Sequence, residues 1–161
     1  MVEVHGIVIR WYGCMNLKKN EVMRTIKFRG RSGNLWAYGN LHIVEHEEYG
    51  DSAYIIGSGS TTMVDISTIG QFTGLCDMKS KEIYEGDIVY SEFEDGSNGS
   101  SLVGWNEKQS CFGVMDEYAY RSKLEGFEYP EFQNHVMLAF MRDAKVFEVI
   151  GNIHDNPKLI K

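Results

Sequence analysis

The chain is poor in most of the residues that announce a function. It has only two prolines against 17 glycines in 161 residues, a composition of many turns rather than of disorder. Its three cysteines, Cys14, Cys76 and Cys111, are odd in number and widely spaced. With no CxxC among them, neither a zinc ribbon nor a disulfide framework is supported, and reduced thiols are expected. No apolar run approaches the ~20 residues that a membrane span needs, so no membrane partner is expected. The apolar stretch near the N-terminus is broken by His5, Gly6 and Arg10 and makes a poor signal peptide. Ser58-Gly59-Ser60-Thr61-Thr62 is rich in glycine and hydroxyls but lacks the lysine of a phosphate-binding loop, and reads as a surface loop. Positive charge is also scarce: no Lys or Arg occurs from Glu82 to Glu107. The net charge of -7 repels polyphosphates at long range and argues against a simple electrostatic nucleic-acid binder.

What is present is strand-forming. Hydrophobic residues make up 43% of the chain, enough for a packed core. Short β-branched and aromatic runs are separated by turn residues throughout. Leu35–Leu41, Ser52–Gly57, Ile88–Tyr90, Leu102–Trp105, Cys111–Val114 and Val146–Ile153 all read as strands. Asp65–Ile69 has the look of one helical turn capped by Asp65. Trp105 is expected in the core. The fold class is therefore mainly β, or α+β with little helix.

Three places carry candidate chemistry. From Arg24 to Arg31 the residues alternate, with Ile26 and Phe28 on one side and Lys27, Arg29 and Arg31 on the other. This basic stripe can track a phosphate backbone. It can equally be matched within the chain by the carboxylates of the cation-free stretch, which include Glu82, Glu85 and Asp87. His42-Ile43-Val44-Glu45-His46 is formally H-x-x-E-H, an inverted zinc-hydrolase string. That chemistry needs a helix to bring His42, Glu45 and His46 together, plus a further ligand. Ile43 and Val44 favour a strand instead, so no metal, cofactor or catalytic residue is assigned. The third place is Asp116–His135, irregular in pattern, where Tyr118, Tyr120, Phe127, Tyr129 and Phe132 are interleaved with charge. Such aromatics can form a protein-binding surface or cap a barrel end. The apolar run Val136–Met141 is expected to be buried or to lie in a subunit contact, which leaves a homo-oligomer open.

The most informative stretch is Ile69–Tyr90. Gly70 and Gly74 bracket Gln71-Phe72-Thr73 and suggest bends on either side of a short extended piece. Cys76–Lys81 is a polar run of hairpin-loop length, and Gly86 is placed for a positive φ before the strand Asp87–Tyr90. Taken with Ile26-Lys27-Phe28-Arg29 before it, and Val149-Ile150-Gly151-Asn152-Ile153 and Asn156-Pro157-Lys158-Leu159 after it, this order of words resembles the YopX family of bacteriophage and prophage proteins. The resemblance runs from about Met23 to the C-terminus. It implies a mostly β protein with a small Src-homology-3-like barrel in its second half, and it brings no catalytic residues. The family's hairpin loop has an Asn-Gly-type turn, whereas Met78-Lys79-Ser80-Lys81 has no glycine.

The expected organisation is an N-terminal extension over residues 1–22, disordered or arising from an upstream start, and a YopX-like domain over 23–161. That domain divides into a strand-rich part (23–70) and a barrel-like part (71–161). The function implied is that of a non-enzymatic phage or prophage accessory protein that binds a host or phage protein in the bacterial cytoplasm. A nucleic-acid-binding module using Lys27, Arg29 and Arg31 is the alternative, and a zinc hydrolase through His42, Glu45 and His46 a remote one.

Overall fold

A computed structural model describes residues 24–48, 50–124 and 135–160, and the protein is mainly β as expected. Two hairpins open the described chain. β1 (Phe28–Ser32) and β2 (Leu35–Val44) are joined at Gly33-Asn34, where Gly33 has φ 59°. β3 (Ser52–Gly57) turns at Ser58-Gly59 into β4 (Ser60–Cys76), with Gly59 at φ 89°. These positive φ values are ones that only glycine takes without steric cost.

β4 is 17 residues long and serves three partners. Its first residues pair with β3, Asp65 and Gly70–Gln71 pair with β1, and its end pairs with β5 (Glu82–Tyr84). Since β1 also pairs with β2, and β2 with β3, the circuit β1-β2-β3-β4 closes on itself. Ala53, Ile55 and Val64 form its buried centre, with Phe28, Ala37, Leu41 and Ile69 packed around them.

Two expectations along β4 are corrected here. Asp65–Ile69 is strand, not a helical turn. Asp65 does act as a local acceptor, taking the Ser67 N–H at 2.9 Å and the Ser67 hydroxyl at 2.8 Å. The result is a bulge, and the register against β1 shifts between Arg29 and Arg31. Gly70 and Gly74 likewise lie inside the strand. Gly70 is required by close approach, since a Cβ there would stand 2.4 Å from the Glu85 carbonyl oxygen. Gly74, at φ 85°, marks a register shift against β5.

The polar connection after β4 is built on Asp77, which is buried. Its Oδ1 accepts the Lys79 and Lys81 N–H groups, each at 2.8 Å, and Ser80 supplies the positive φ (65°) in place of a glycine. Its Oδ2 accepts the Val149 N–H at 3.0 Å, tying the loop to the last strand. Cys111 is a free thiol, whereas Cys76 is disulfide-bonded, contrary to the expectation of reduced thiols.

The second sheet comprises β6 (Asp87–Phe93), β7 (Asn98–Asn106), β8 (Cys111–Asp116), β9 (His135–Val136) and β10 (Ala144–Asn152), in the order β10-β6-β7-β8-β9, all antiparallel. Helix α1 (Glu117–Leu124) follows β8, α2 (Met137–Asp143) follows β9, and a 3-10 turn (Pro157–Ile160) ends the described chain. Among the described residues the strand circuit that closes is in the first half. The second half is an open five-stranded sheet, and the Src-homology-3-like barrel implied for it is not confirmed. The core here is larger: Ile83, Val89, Val103, Phe112, Val114, Met137, Met141, Ala144 and Phe147. The apolar run Val136–Met141 thus divides between the end of β9 and α2, with Met137 and Met141 buried. Trp105, expected in the core, packs edge-on against Phe112 and remains 41% exposed.

Candidate functional site

The alternation read in the sequence holds on β1. A Cβ on Gly30 would meet the Val64 side chain at 2.7 Å, so Phe28 and Gly30 face the first core while Lys27, Arg29 and Arg31 face away from it. That outer side is closed to solvent at Arg29 and partly open at Lys27 and Arg31. It is covered by β5, the start of β6 and the segment after β10, and each cation meets a carboxylate there.

Arg29 is the centre of this joint and is only 6% exposed. Its Nη1 lies 2.6 Å from Asp87 Oδ1, and its Nη2 donates to the Glu85 carbonyl at 3.0 Å. Asp87 Oδ2 in turn accepts the Tyr84 N–H at 2.8 Å. The guanidinium stands over the rings of Trp36 (4.8 Å) and Tyr84 (5.1 Å), a cation held between two aromatic faces. Lys27 pairs with Glu82 and covers the Phe72 ring at 4.7 Å. Arg31 reaches Asp155 at 3.4 Å, and Asp155 also accepts the Trp36 indole N–H at 2.8 Å.

Burial lifts the Asp87 carboxyl above the ordinary carboxylate value, and the Arg29 charge works against that rise. Burial also raises the Tyr84 phenol, assisted by its hydrogen bond to Glu82. His154, 5.9 Å from Trp36 ring to ring, is held below its usual value by burial and then by Arg29. The arrangement favours neutral phenols and a neutral imidazole around one enclosed ion pair. Lys27 and Glu82 pair within the first sheet, to which β5 belongs, whereas Arg29 with Asp87 on β6 and Arg31 with Asp155 after β10 fasten the first sheet to the second.

A second feature adjoins this joint and shares Trp36 with it. The hairpins β1–β2 and β3–β4 diverge beyond Gly39, leaving a cleft of about 410 Å³. Its lining is Ser32, Leu35, Trp36, Ala37, Tyr38, Ile55, Gly57, Ser58, Ser60 and Thr62, without a charged side chain. Leu35 is 77% exposed and Tyr38 51%. Gly39 sets the divergence: a Cβ there would lie 2.2 Å from the Ile56 carbonyl oxygen, so the strands touch at this point and splay after it.

Residues 22–161 match the family described as YopX protein. The chain belongs to the YopX family. No curated protein matches it. Among solved structures it is similar to protein yopX from Bacillus subtilis, at 16% identity over 86% of this chain and 98% of the other, with a TM-score of 0.50. It is also similar to protein EF1440 from Enterococcus faecalis, at 20% identity over 86% of this chain and 100% of the other, with a TM-score of 0.45. At these identities the B. subtilis likeness speaks to the fold alone.

In this YopX-family chain the other sequence candidates are scattered. His42 sits on β2 opposite Tyr54, and Glu45 and His46 lie past the strand's end, all three exposed. The helix that would gather them is absent because β-branched Ile43 and Val44 complete the ladder with β3. Among the described residues no three His, Cys, Asp or Glu side chains are grouped to hold a metal. Tyr118 and Tyr120 fall on α1, Tyr118 exposed and Tyr120 half-buried. Asp116 caps that helix by accepting the Ala119 N–H at 2.7 Å. Asp116-Glu117 was the signal for it, obscured by the aromatics that follow. Phe127, Tyr129 and Phe132 lie outside the described residues. The cleft had no signal in sequence beyond the small residues Gly57–Ser60, because it arises from two hairpins parting in space.

Proposed function

We propose that this protein is a non-enzymatic protein-binding module, that the cleft between its two hairpins is the contact site, and that its partner is a host or phage protein. The observation that carries the reading is an uncharged cleft with an exposed leucine and an exposed tyrosine in its wall. Apolar and aromatic side chains in a charge-free hollow are what the centre of a protein interface uses. The nucleic-acid alternative loses support because Lys27, Arg29 and Arg31 each face a carboxylate inside the chain. A phosphate would have to displace those partners before any counterion release could favour binding.

The test is affinity capture of the tagged full chain from nuclease-treated host lysate, followed by mass spectrometry. It is run with the unmodified chain and with Leu35→Glu and Tyr118→Ala. The reading expects a specific protein that is lost with Leu35→Glu and kept with Tyr118→Ala. Loss with Tyr118→Ala alone would move the contact to α1, and capture that vanishes on nuclease treatment would return the question to nucleic acid.

A further inference from the structure

We propose that the outward face of β2, β3 and the start of β4 is a second docking surface, and that its partner is a basic protein segment with an apolar side chain flanked by Lys and Arg. Tyr54, Ile56 and Met63 form its centre, and none of the three lines the cleft.

Strand register separates the two faces. Leu41, Ile55 and Thr62 stand in one cross-strand row, and Ile43, Ala53 and Val64 in another. Ala53, Ile55 and Val64 are the buried centre of the circuit, so these rows look inward. The alternate rows look outward: His42, Tyr54 and Met63 in one, Asn40, Ile56 and Thr61 in the next. Met63 is 59% exposed, Ile56 is 42% exposed, and Tyr54 is half-buried. Tyr54 lies directly opposite Met63, and Ile56 is diagonal to it, a spacing at which long side chains touch. The three therefore make one continuous patch. Methionine and tyrosine in an uncharged centre are what interface cores are enriched in.

Charge at the border selects the partner. No Lys or Arg occurs from Ser32 to Met78, so β2, β3 and β4 carry none. The connection from β2 to β3 holds Glu45, Glu47, Glu48 and Asp51, all exposed. It begins where Val44 pairs with Ser52, two residues along from His42 and Tyr54. Among the described residues no ion pair engages these four carboxylates. On β1, next to β4, Arg31 is turned to Asp155. The apolar patch is thus bordered by uncompensated negative charge. Nucleic acid and anionic lipid are repelled there. A second copy meeting it about a two-fold axis would add like charge to like. A segment rich in Lys and Arg is drawn in by the same field, and its apolar side chain covers Met63 and Ile56.

The probe is a displayed library of random dodecapeptides, selected at low salt on the immobilised full chain. The enriched sequences are expected to place Lys or Arg on both sides of an apolar residue. Titrated into the ¹⁵N-labelled full chain, these peptides should shift the amides of Tyr54, Ile56 and Met63. Met63→Ser should weaken them on the order of tenfold, the loss of one central apolar contact. Glu45→Gln, Glu47→Gln, Glu48→Gln and Asp51→Asn together should slow association on the order of tenfold at low salt and remove most of its salt dependence. Leu35→Glu, in the cleft, should leave their affinity unchanged. The amide-shift arm uses the unmodified chain, so it stands whether or not a variant folds. A library that yields no Lys- or Arg-bearing binder would overturn the partner's chemistry. Basic peptides that shift other amides and ignore Met63→Ser would overturn the site. Peptides lost with Leu35→Glu and kept with Met63→Ser would overturn this surface while leaving the cleft as a contact site. A chain that sedimented as a dimer and became monomeric with Met63→Ser would replace the basic partner by a second copy of the protein.

Discussion

In the β1–β4 circuit the buried apolar centre is three side chains, Ala53, Ile55 and Val64, all small or medium in size. Against the β6–β10 sheet it is nine, Ile83 from β5 with eight from the second half, including Phe112, Phe147 and two methionines from α2. The first half closes its backbone hydrogen bonds in a ring and needs little side-chain mass to hold it. The second leaves its sheet open and covers it with α2 and the Asp77 loop, so that packing carries the stability. The difference also locates the cleft, because a circuit with a thin centre can part at one end without opening a core. It explains the joint as well: the smaller unit is secured to the larger by Arg29, whose partners lie beyond β4.

Truncation of the two cores should break this comparison if it is wrong. Phe147→Ala removes a fully buried ring from the larger core, and the expected loss is about 3–5 kcal/mol by urea denaturation. Ile55→Ala acts on the smaller core, where the residue already borders the cleft and water can fill the space left. Its cost should lie at the low end of the range for such truncations, about 2 kcal/mol. Equal losses would mean that the circuit depends on its centre as much as the sheet does.

Asp77→Ala sharpens the account of the second sheet. It removes the acceptor shared by the Lys79, Lys81 and Val149 N–H groups. The expected loss is about 1–2 kcal/mol, with faster hydrogen exchange at Val149. A loss without any change at Val149 would show that the loop does not secure the edge of β10.

The smallest effect is a pH dependence at the joint. The His154 pKa is depressed in the folded state, so the unfolded chain binds the proton first as pH falls. The stability that His154 contributes is present above its unfolded value of about 6.5 and is lost as pH drops through the folded one. His154→Gln should flatten the acid side of the stability profile in that window. An unchanged slope would place the titrating group elsewhere.

Much of this fold is legible in the sequence for local reasons. Alternation from Phe28 to Arg31 gave the correct faces of β1, although Ile26, expected beside Phe28, precedes the strand and is exposed, and Gly86 takes the positive φ that its place before β6 requires. The cation-free stretch beginning at Glu82 does supply carboxylates to the basic stripe, which is why opposite charges so far apart in the chain were informative together. What sequence could not carry was the third dimension of β4. Its bulges at Asp65 and Gly74 mimic helix and turn signals because a bulge uses the same Asx and glycine geometry. Neither the burial of Arg29 nor the cleft is local, since both depend on which hairpin lies against which. Trp105 was misplaced because aromatic size favours burial on average, while its position on β7 leaves it half in solvent.

The most direct measurement is a double-mutant cycle at Arg29 and Asp87, read by urea denaturation of Arg29→Met, Asp87→Leu and the pair together. Both side chains are nearly fully buried, at 7% and 2% exposure, so either single change leaves an uncompensated charge. The account predicts losses of about 3–5 kcal/mol for each single variant, most of it recovered in the double, as for a buried ion pair replaced by apolar groups. Single-variant losses below about 1 kcal/mol, the range of exposed pairs, would contradict it. The basic stripe would then be a surface available to a partner and not the joint of the fold.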